Sequence, residues 1–517
     1  MSDFHAPVDD ILFSLRHVAR ADRLADWDDE LAGEIIGHFA SFAEGRIAPL
    51  DASGDAQGCR LENGRVRMPD GFAEVYAELA GQGWQGLSAP EEFGGQGLNG
   101  AVRAGVSEIF SGANHSLQMV TSLVPGAISV LMRFGTDEQR EAYIPPLAVG
   151  RWLSTMALTE PGAGSDLAAI RARAVKDGDA WRIDGEKIFI SGGDQDMSEG
   201  VFHLVLARTG PADSGVRGLS LFACLSDLPD GSRNAIGVTR IEEKLGLHAS
   251  PTCQLAFDGA VGELIGEEGG GLKAMFAMMN HARLDVALQG VAHAARAADL
   301  ARSYAAERKQ GRDANGREIT IDQHPDVARM IEECDALAIG GRALCHIALV
   351  AEELGAAHDF VEFMTPVCKY FCTEAGTRAA DLAIQVMGGY GYLREYGAEQ
   401  NWRDARICSI YEGTSGIHAR TTATRSLSMN GGAGARAFAG FLRESGGDFA
   451  GLAEKWEAEA KRVAASDDAA AEAHGFMELT CDFAWRAALA RVARASEAAP
   501  AISDRIDRVC ERFGIAT

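Results

Sequence analysis

The sequence predicts an α+β chain: a helical N-terminal part, a small β-barrel or sandwich, and a second, longer helical part. Three observations predict it. Apolar residues recur at three- and four-residue spacing over 11–21, 27–48 and 71–81. Between Trp152 and about Phe257 the pattern changes to short apolar runs with glycine-rich turns. From Gly271 the helical spacing returns and persists to the C-terminus. The order divides the chain into an N-terminal helical domain (1–155), a middle β domain (156–270), a C-terminal helical bundle (271–430) and a helical extension (431–517).

Each element has its own signal. Pro90-Glu-Glu-Phe-Gly-Gly-Gln-Gly97 carries the punctuation of a loop. A largely apolar stretch covers 104–134, and Thr136-Asp-Glu-Gln139 reads as a helix start. In Val175-Lys-Asp-Gly-Asp-Ala-Trp181 an Asp-Gly pair separates two strands, a strong hairpin signal. Further strands are expected over 181–184, 187–190, 201–207, 219–225 and 253–257, enough for a small barrel or sandwich. Residues 271–311 lack proline and predict one long amphipathic helix; 327–354, 359–387 and 413–427 predict three more. Asn430-Gly-Gly-Ala-Gly434 breaks the pattern as a linker, and 437–517 follows as an acidic, alanine-rich helical module.

Composition narrows the function. The 517 residues include 49 Lys and Arg against 74 Asp and Glu, a formal charge of −25. A chain that coats nucleic acid must neutralise phosphates, and one that docks on anionic lipid needs basic clusters, so neither partner is expected. An anionic ligand is still possible, because a few arginines suffice locally. No run approaches 18 consecutive apolar residues, so no membrane span is expected. Residues 1–15 carry acids and no basic-then-apolar pattern, unlike a secretory signal. The ten cysteines show no metal-binding spacing, and Cys368 and Cys372, four apart, suit one helix face. Reduced thiols in a cytoplasmic protein without a metal are the expectation.

Walker A, His-Glu-x-x-His, Gly-x-Ser-x-Gly and Cys-x-x-Cys motifs are absent. Gly95-Gln-Gly-Leu-Asn-Gly100 matches the dinucleotide fingerprint by letter, but follows a polar loop rather than a strand. Three other clusters stand out. Leu158-Thr-Glu-Pro-Gly-Ala-Gly-Ser-Asp166 offers hydroxyls and free backbone N–H groups for a ring carbonyl or pyrophosphate; it also reads as an ordinary turn. Gln385-Val-Met-Gly-Gly-Tyr-Gly-Tyr392 allows close backbone approach to a ligand, or simply caps a helix. Ile410-Tyr-Glu-Gly-Thr-Ser-Gly416 holds one carboxylate beside an aromatic ring. It suits a proton acceptor in an apolar site, or a surface Glu at a helix start.

These clusters, with Lys187-Ile-Phe-Ile-Ser191 between the first two, occur in an order that resembles the acyl-CoA dehydrogenase family over about residues 35–427. The resemblance implies an N-terminal helical domain, a middle β-barrel and a C-terminal four-helix bundle, here with the helical extension. Ala6-Pro-Val-Asp-Asp-Ile-Leu-Phe13, Gly246-Leu-His-Ala-Ser-Pro-Thr-Cys253 and Met275-Phe-Ala-Met-Met-Asn280 are similar to a longer-chain branch. Its members include 3-methylmercaptopropionyl-CoA dehydrogenases of dimethylsulfoniopropionate degradation and broad-range fatty acyl-CoA dehydrogenases. The implied activity is FAD-dependent α,β-dehydrogenation of an acyl-CoA to a trans-2-enoyl-CoA, with 3-methylthiopropionyl-CoA as the expected substrate. A short- or medium-chain fatty acyl-CoA is the alternative, and a DNA-binding flavoprotein of the same fold a more distant one. An electron-transfer flavoprotein is the implied electron acceptor, and a homodimer or homotetramer the implied assembly.

The family's roles carry over by position. The Glu of Tyr-Glu-Gly-Thr takes the α-proton, which places the base at Glu412. Members with the base elsewhere put it just before a substrate-binding Arg; here that Arg is Arg283 and Ala282 precedes it. The thioester oxygen needs donors as charge develops, supplied in the family by the backbone N–H of the Glu and a flavin ribityl hydroxyl. FAD contacts fall on Met156, Leu158, Thr159 and Ser165, on Phe189 and Ser191, on Gln385 and Gly389, and on Thr414. Arg308, 25 residues after Arg283, matches the Arg that reaches a neighbouring subunit's flavin. Ser165, Asn280 and Arg283 match CoA or acyl contacts. Ser191 also reads as a strand cap and Asn280 as a residue that satisfies a helix neighbour. The sequence departs from the family at Phe189, where many members have Trp, and at Gly416, where many have Glu or Gln. It also departs at Gln310-Gly-Arg312, where an aromatic-Gly pair is usual, and at Asn280, which replaces a frequent acid.

Overall fold

The computed structural model describes residues 4–355 and 358–515, with the side chains of Ala277, Asn280 and His281 outside that description. The chain forms two compact units, neither of them continuous in sequence. One comprises Pro49–Leu98 and Asn114–Ala282, the other Met1–Ala48, Asn99–Ala113 and Arg283–Thr517.

The first unit is built around a barrel. After the short helix Asp51–Gln57 comes an antiparallel hairpin, β1 (Arg60–Glu62) and β2 (Arg65–Arg67). Asn63 and Gly64 turn it with φ of +52° and +75°, the left-handed pair that matches strand twist. Buried Asp194 ties down this hairpin, accepting from Arg65 Nε at 2.8 Å and from Val66 N at 2.9 Å. The helix Asp137–Ala148 starts where Thr136 predicts, in a full capping box: Thr136 Oγ1 accepts from Gln139 N and Gln139 Oε1 from Thr136 N. The apolar stretch before it is two helices, Gly100–Thr121, kinked at Asn114, and Val124–Phe134.

Seven strands follow: β3 (Trp152–Ala157), β4 (Arg173–Asp177), β5 (Ala180–Ser191), β6 (Gly200–Arg208), β7 (Leu219–Leu225), β8 (Ile236–Ile241) and β9 (Thr252–Ile265). The pairing runs β6–β4–β5–β9–β7 and returns from β7 to β6, so the sheet closes. Closure removes the exposed edges an open sheet would leave. β3 adds in parallel to β6, and β8 antiparallel to β9. The expected hairpin is β4–β5, with Asp177 opposite Ala180. β6 and β7 are buried almost throughout, which explains their continuous apolar runs. β8 is largely exposed, and its Ile-Gly-Val-Thr-Arg-Ile sequence gives no comparable signal.

The second unit is helical. The long helices Pro325–Glu353 and His358–Met387 pack on Gly271–Glu307 from Arg283 onward. Two glycines let backbones meet: a Cβ on Gly376 would lie 2.5 Å from the Gly290 carbonyl oxygen. The first helix ends at Glu307, four residues before its expected end, because Lys309–Arg312 forms an exposed strand, β10, that pairs with β11 (Glu318–Thr320). Pro325–Glu353 is long and apolar enough to cross a membrane, but 89% of its most apolar window is buried inside the protein.

The C-terminal extension shares this unit's core. Asn430, Gly431 and Gly432, all with positive φ, form a tight break into the helix Ala433–Glu444, where a linker is expected. Trp456 lies 4.6 Å from Phe438 and 5.7 Å from Phe363 between ring centroids. Trp485 donates its indole N–H to the Ala336 carbonyl at 3.0 Å. Several buried charges here are paired: Arg342 donates to Glu108 at 2.6 Å and to Asp10 at 3.3 Å, and Arg505 of the last helix donates to Asp10 at 2.6 Å.

Candidate active site

Glu412 sits in a short turn between Arg406–Ser409 and the helix Ser415–Thr421. Its backbone is left-handed at φ +52°, and Gly413 follows at +96°. A bulky residue pays strain there, so the neighbours must hold the turn. Three contacts do so. Lys369 Nζ donates to the Gly413 carbonyl at 2.7 Å. His418 Nε2 lies 3.1 Å from the Glu412 carbonyl and acts as the donor. Thr414 caps the next helix, accepting from Ile417 N at 3.4 Å. The residue before Glu412, Tyr411, donates its hydroxyl to Gln289.

Glu412 keeps partial exposure as a residue, while its Oε2 is closed off from solvent and accepts no hydrogen bond from the described residues. Burial therefore dominates its acidity and pushes its pKa up to about 7; the Arg283 and Lys369 cations oppose the rise. The same burial pulls Lys369 down to about 8 and Arg283 below its usual value. His418 falls to about 3 and is neutral. A carboxylate poised near neutrality, with an oxygen that no donor holds, can accept a proton from a bound molecule.

In the barrel unit, the loop from Leu158 to Asp166 is anchored from below. Buried Lys187 of β5 donates to the Leu158 carbonyl and to Glu160 Oε1, each at 2.8 Å. The Glu160 carboxylate also accepts from Arg171 N at 2.7 Å and Ala172 N at 3.0 Å. Ile188 N donates to the Thr159 carbonyl at 2.8 Å. Above this anchor the loop is open: Ser165 is exposed, and a Cβ on Gly162 or Gly164 would touch nothing. Phe189 follows at a register shift in β5, with φ +58° and 62% exposure. A large ring held outward on a strained backbone, beside an open small-residue loop, fits a flat aromatic cofactor.

In the helical unit, Arg308, Gly389, Tyr304 and Tyr390 line an open groove of about 670 Å³. The Arg308 guanidinium lies 5.5 Å from the centre of the Tyr390 ring. A Cβ on Gly388 or Gly389 would also meet nothing, and Gly388 has φ +61°. Cation, aromatic faces and bare backbone suit an anion joined to a ring.

Family models match along the chain: the acyl-CoA dehydrogenase N-terminal domain over residues 32–151, the middle domain over 155–260 and the C-terminal domain over 269–427. The chain belongs to the acyl-CoA dehydrogenase family. It is 42% identical over 488 residues to a 3-methylmercaptopropionyl-CoA dehydrogenase of Ruegeria pomeroyi, covering 89% of this chain and 82% of that one. It is 34% identical over 482 residues to a broad-specificity linear acyl-CoA dehydrogenase, FadE5, of Mycobacterium tuberculosis, covering 86% and 78%. The solved structure of Caenorhabditis elegans ACDH-11 in complex with C11-CoA aligns with a TM-score of 0.81 at 22% identity, over 99% of this chain and 92% of that one. That likeness shows a common fold extending through the C-terminal helices. Members of this acyl-CoA dehydrogenase family are flavoproteins.

The residues singled out in the sequence fall into three places. Met156, Leu158, Thr159, Ser165, Phe189 and Ser191 lie on β3, the open loop and β5, with Leu158 buried and Met156, Thr159 and Ser191 half-buried. Arg308 and Gly389 share the groove, while Gln385 is exposed one turn earlier on the His358–Met387 helix and does not line it. Glu412, Thr414 and Arg283 belong to the helical unit, and Arg283 faces Glu412 electrostatically. Asn280 lies on the Gly271–Glu307 helix with its side chain outside the described residues. Sequence reasoning missed the supports: Lys187, Glu160, Lys369 and His418. Lys187 carries a faint signal, as a lysine on the inward phase of an alternating strand. Lys369 lies inside the apolar run from Val367 to Cys372, where a lysine is costly unless it is used.

Proposed function

We propose that this acyl-CoA dehydrogenase removes hydrogen from Cα and Cβ of 3-methylthiopropionyl-CoA, using FAD, with Glu412 as the base. The observation that carries the reading is the Glu412 carboxylate: buried, poised near pH 7, with Oε2 left without a donor. Likeness to the Ruegeria pomeroyi enzyme over most of the chain supports the substrate.

The chain's residues divide the work. The lysine and histidine contacts hold the left-handed turn, so the carboxylate is fixed before substrate arrives, and positioning of this kind supplies much of a rate. The Glu412 carboxylate takes the proton from Cα, and the backbone N–H at 412 donates to the thioester oxygen as charge develops. Arg283 and Ser165 are assigned to the thioester and its CoA. FAD, when bound, supplies the hydride acceptor for Cβ. Thr159, Ser165, Phe189 and Ser191 would hold its ring side; Arg308, in its groove, would reach the flavin pyrophosphate of a neighbouring subunit, and Gly389 would lie on the adenosine side. The reading thus includes a homodimer or homotetramer, an electron-transfer flavoprotein as acceptor and a cytoplasmic location. We keep the domain division at 155, 270 and 430 within the same proposal.

A second reading is a linear short- or medium-chain fatty acyl-CoA, favoured by the likeness to the Mycobacterium tuberculosis enzyme. A methylthio tail and a short alkyl tail differ little in size, so discrimination rests on about 1–3 kcal/mol. Anaerobic bleaching of the flavin-loaded protein by a panel of thioesters decides. The proposal expects 3-methylthiopropionyl-CoA to bleach faster than butanoyl- to dodecanoyl-CoA. Faster bleaching by a longer linear chain would transfer the assignment to the fatty acyl reading, and no bleaching by any would overturn both.

A further inference from the structure

Lys369 is a fully buried cation on the helix His358–Met387. Its ammonium donates to a neutral acceptor, the Gly413 carbonyl. Burying an ammonium costs several kcal/mol, and a neutral donor would satisfy a carbonyl more cheaply. The position explains the expense. The bond falls on the second of two consecutive left-handed residues, and the first is Glu412. His418 grips the carbonyl of Glu412 itself, and a Cβ on Gly413 would lie 2.8 Å from His418 Nε2, so the turn is wedged between two side chains. Lys369 is also one of the two cations that face the Glu412 carboxylate.

We propose that Lys369 is a positioning residue for proton abstraction: by holding the Gly413 carbonyl it fixes the turn that aims the Glu412 carboxylate, and its charge opposes the cost of ionising that carboxylate in a buried site. The proposal rests on Glu412 being the base. Glu412 is faced by the cations of Arg283 and Lys369 and by neutral His418 and Tyr411; Lys369 is faced in turn by Cys408, Glu374 and Arg283.

The test uses full-length, flavin-loaded protein and single-turnover bleaching by saturating butanoyl-CoA or 3-methylthiopropionyl-CoA across pH. Thioester affinity is read separately from the spectral change on binding. In Lys369→Met the limiting rate should fall about 10- to 100-fold while affinity stays within about 3-fold, the signature of an interaction needed in the transition state. The acid limb of the rate profile should move to higher pH, because a cation that favours the carboxylate is gone. Lys369→Arg should restore much of the rate and return the limb. A merely structural lysine would lower thermal stability without moving the limb. A wild-type rate and limb in Lys369→Met, with Glu412→Gln inert, would overturn the proposal and leave the base in place. Turnover by Glu412→Gln would overturn the base itself. If Lys369→Met does not fold, Lys369→Gln, which keeps a donor without the charge, decides by the limb: shifted supports the proposal, unshifted overturns it.

Discussion

Lys187 and Glu160 form an ion pair of 2.8 Å with both side chains closed off from solvent. The pair joins β5 to the loop that begins at Leu158, so the barrel positions the loop rather than the loop positioning itself. Lys187→Met leaves the Glu160 carboxylate buried without its cation, which costs about 3–5 kcal/mol. The urea midpoint should fall accordingly, and flavin should be lost more readily on dilution. An unchanged midpoint would show that the backbone donors at 171 and 172 suffice.

Ionisation of Glu412 should destabilise the fold. Its pKa is about 7 in the folded protein against 4.5 ordinarily, so the folded state favours the protonated form. The stability this gives is fully present below pH 4.5 and is lost as pH rises through about 7; above that, ionisation costs about 3 kcal/mol. Glu412→Gln removes the cost. Its stability should match the parent near pH 4.5 and exceed it increasingly up to about pH 7, with a constant difference beyond. A difference independent of pH in equilibrium unfolding would contradict the raised pKa.

The C-terminal helices should unfold together with the bundle. Trp456 is buried against Phe363 of the bundle and Phe438 of the extension, and donates to Thr480 at 2.9 Å. Trp456→Ala should cost about 3–5 kcal/mol and lower one cooperative transition. A separate early transition from the extension alone, seen by calorimetry, would contradict a shared core.

The α, β, α order is legible because period changes at Trp152 and Gly271 are strong and long. The β4–β5 hairpin is legible because Gly178, with φ of +64°, punctuates two strand-like runs and opens their two-residue turn, Gly178-Asp179. The small hairpin of β1 and β2 escapes because each three-residue strand holds one apolar residue and shows no period, although Asn63-Gly64 carries its turn signal. The end of the long helix at Glu307 escapes as well, because pairing with residues 318–320 sets it, and no local signal reports a non-local partner. At the candidate site the motif residues are legible as a family pattern. Their supports are marked only faintly, Lys369 by its apolar helical run and Lys187 by the inward phase of its strand, and neither signal names the partner. Only packing shows that Lys369 ends on the Gly413 carbonyl and Lys187 on Glu160.

The central claim is that the Glu412 carboxylate removes the α-proton. The most direct measurement is anaerobic bleaching of flavin-loaded Glu412→Gln by 3-methylthiopropionyl-CoA, beside the parent, with thioester binding followed in both. The account predicts that the variant binds the thioester and bleaches about 10²–10⁴-fold more slowly or not at all. Bleaching at the parent rate would contradict it and place the base on another residue.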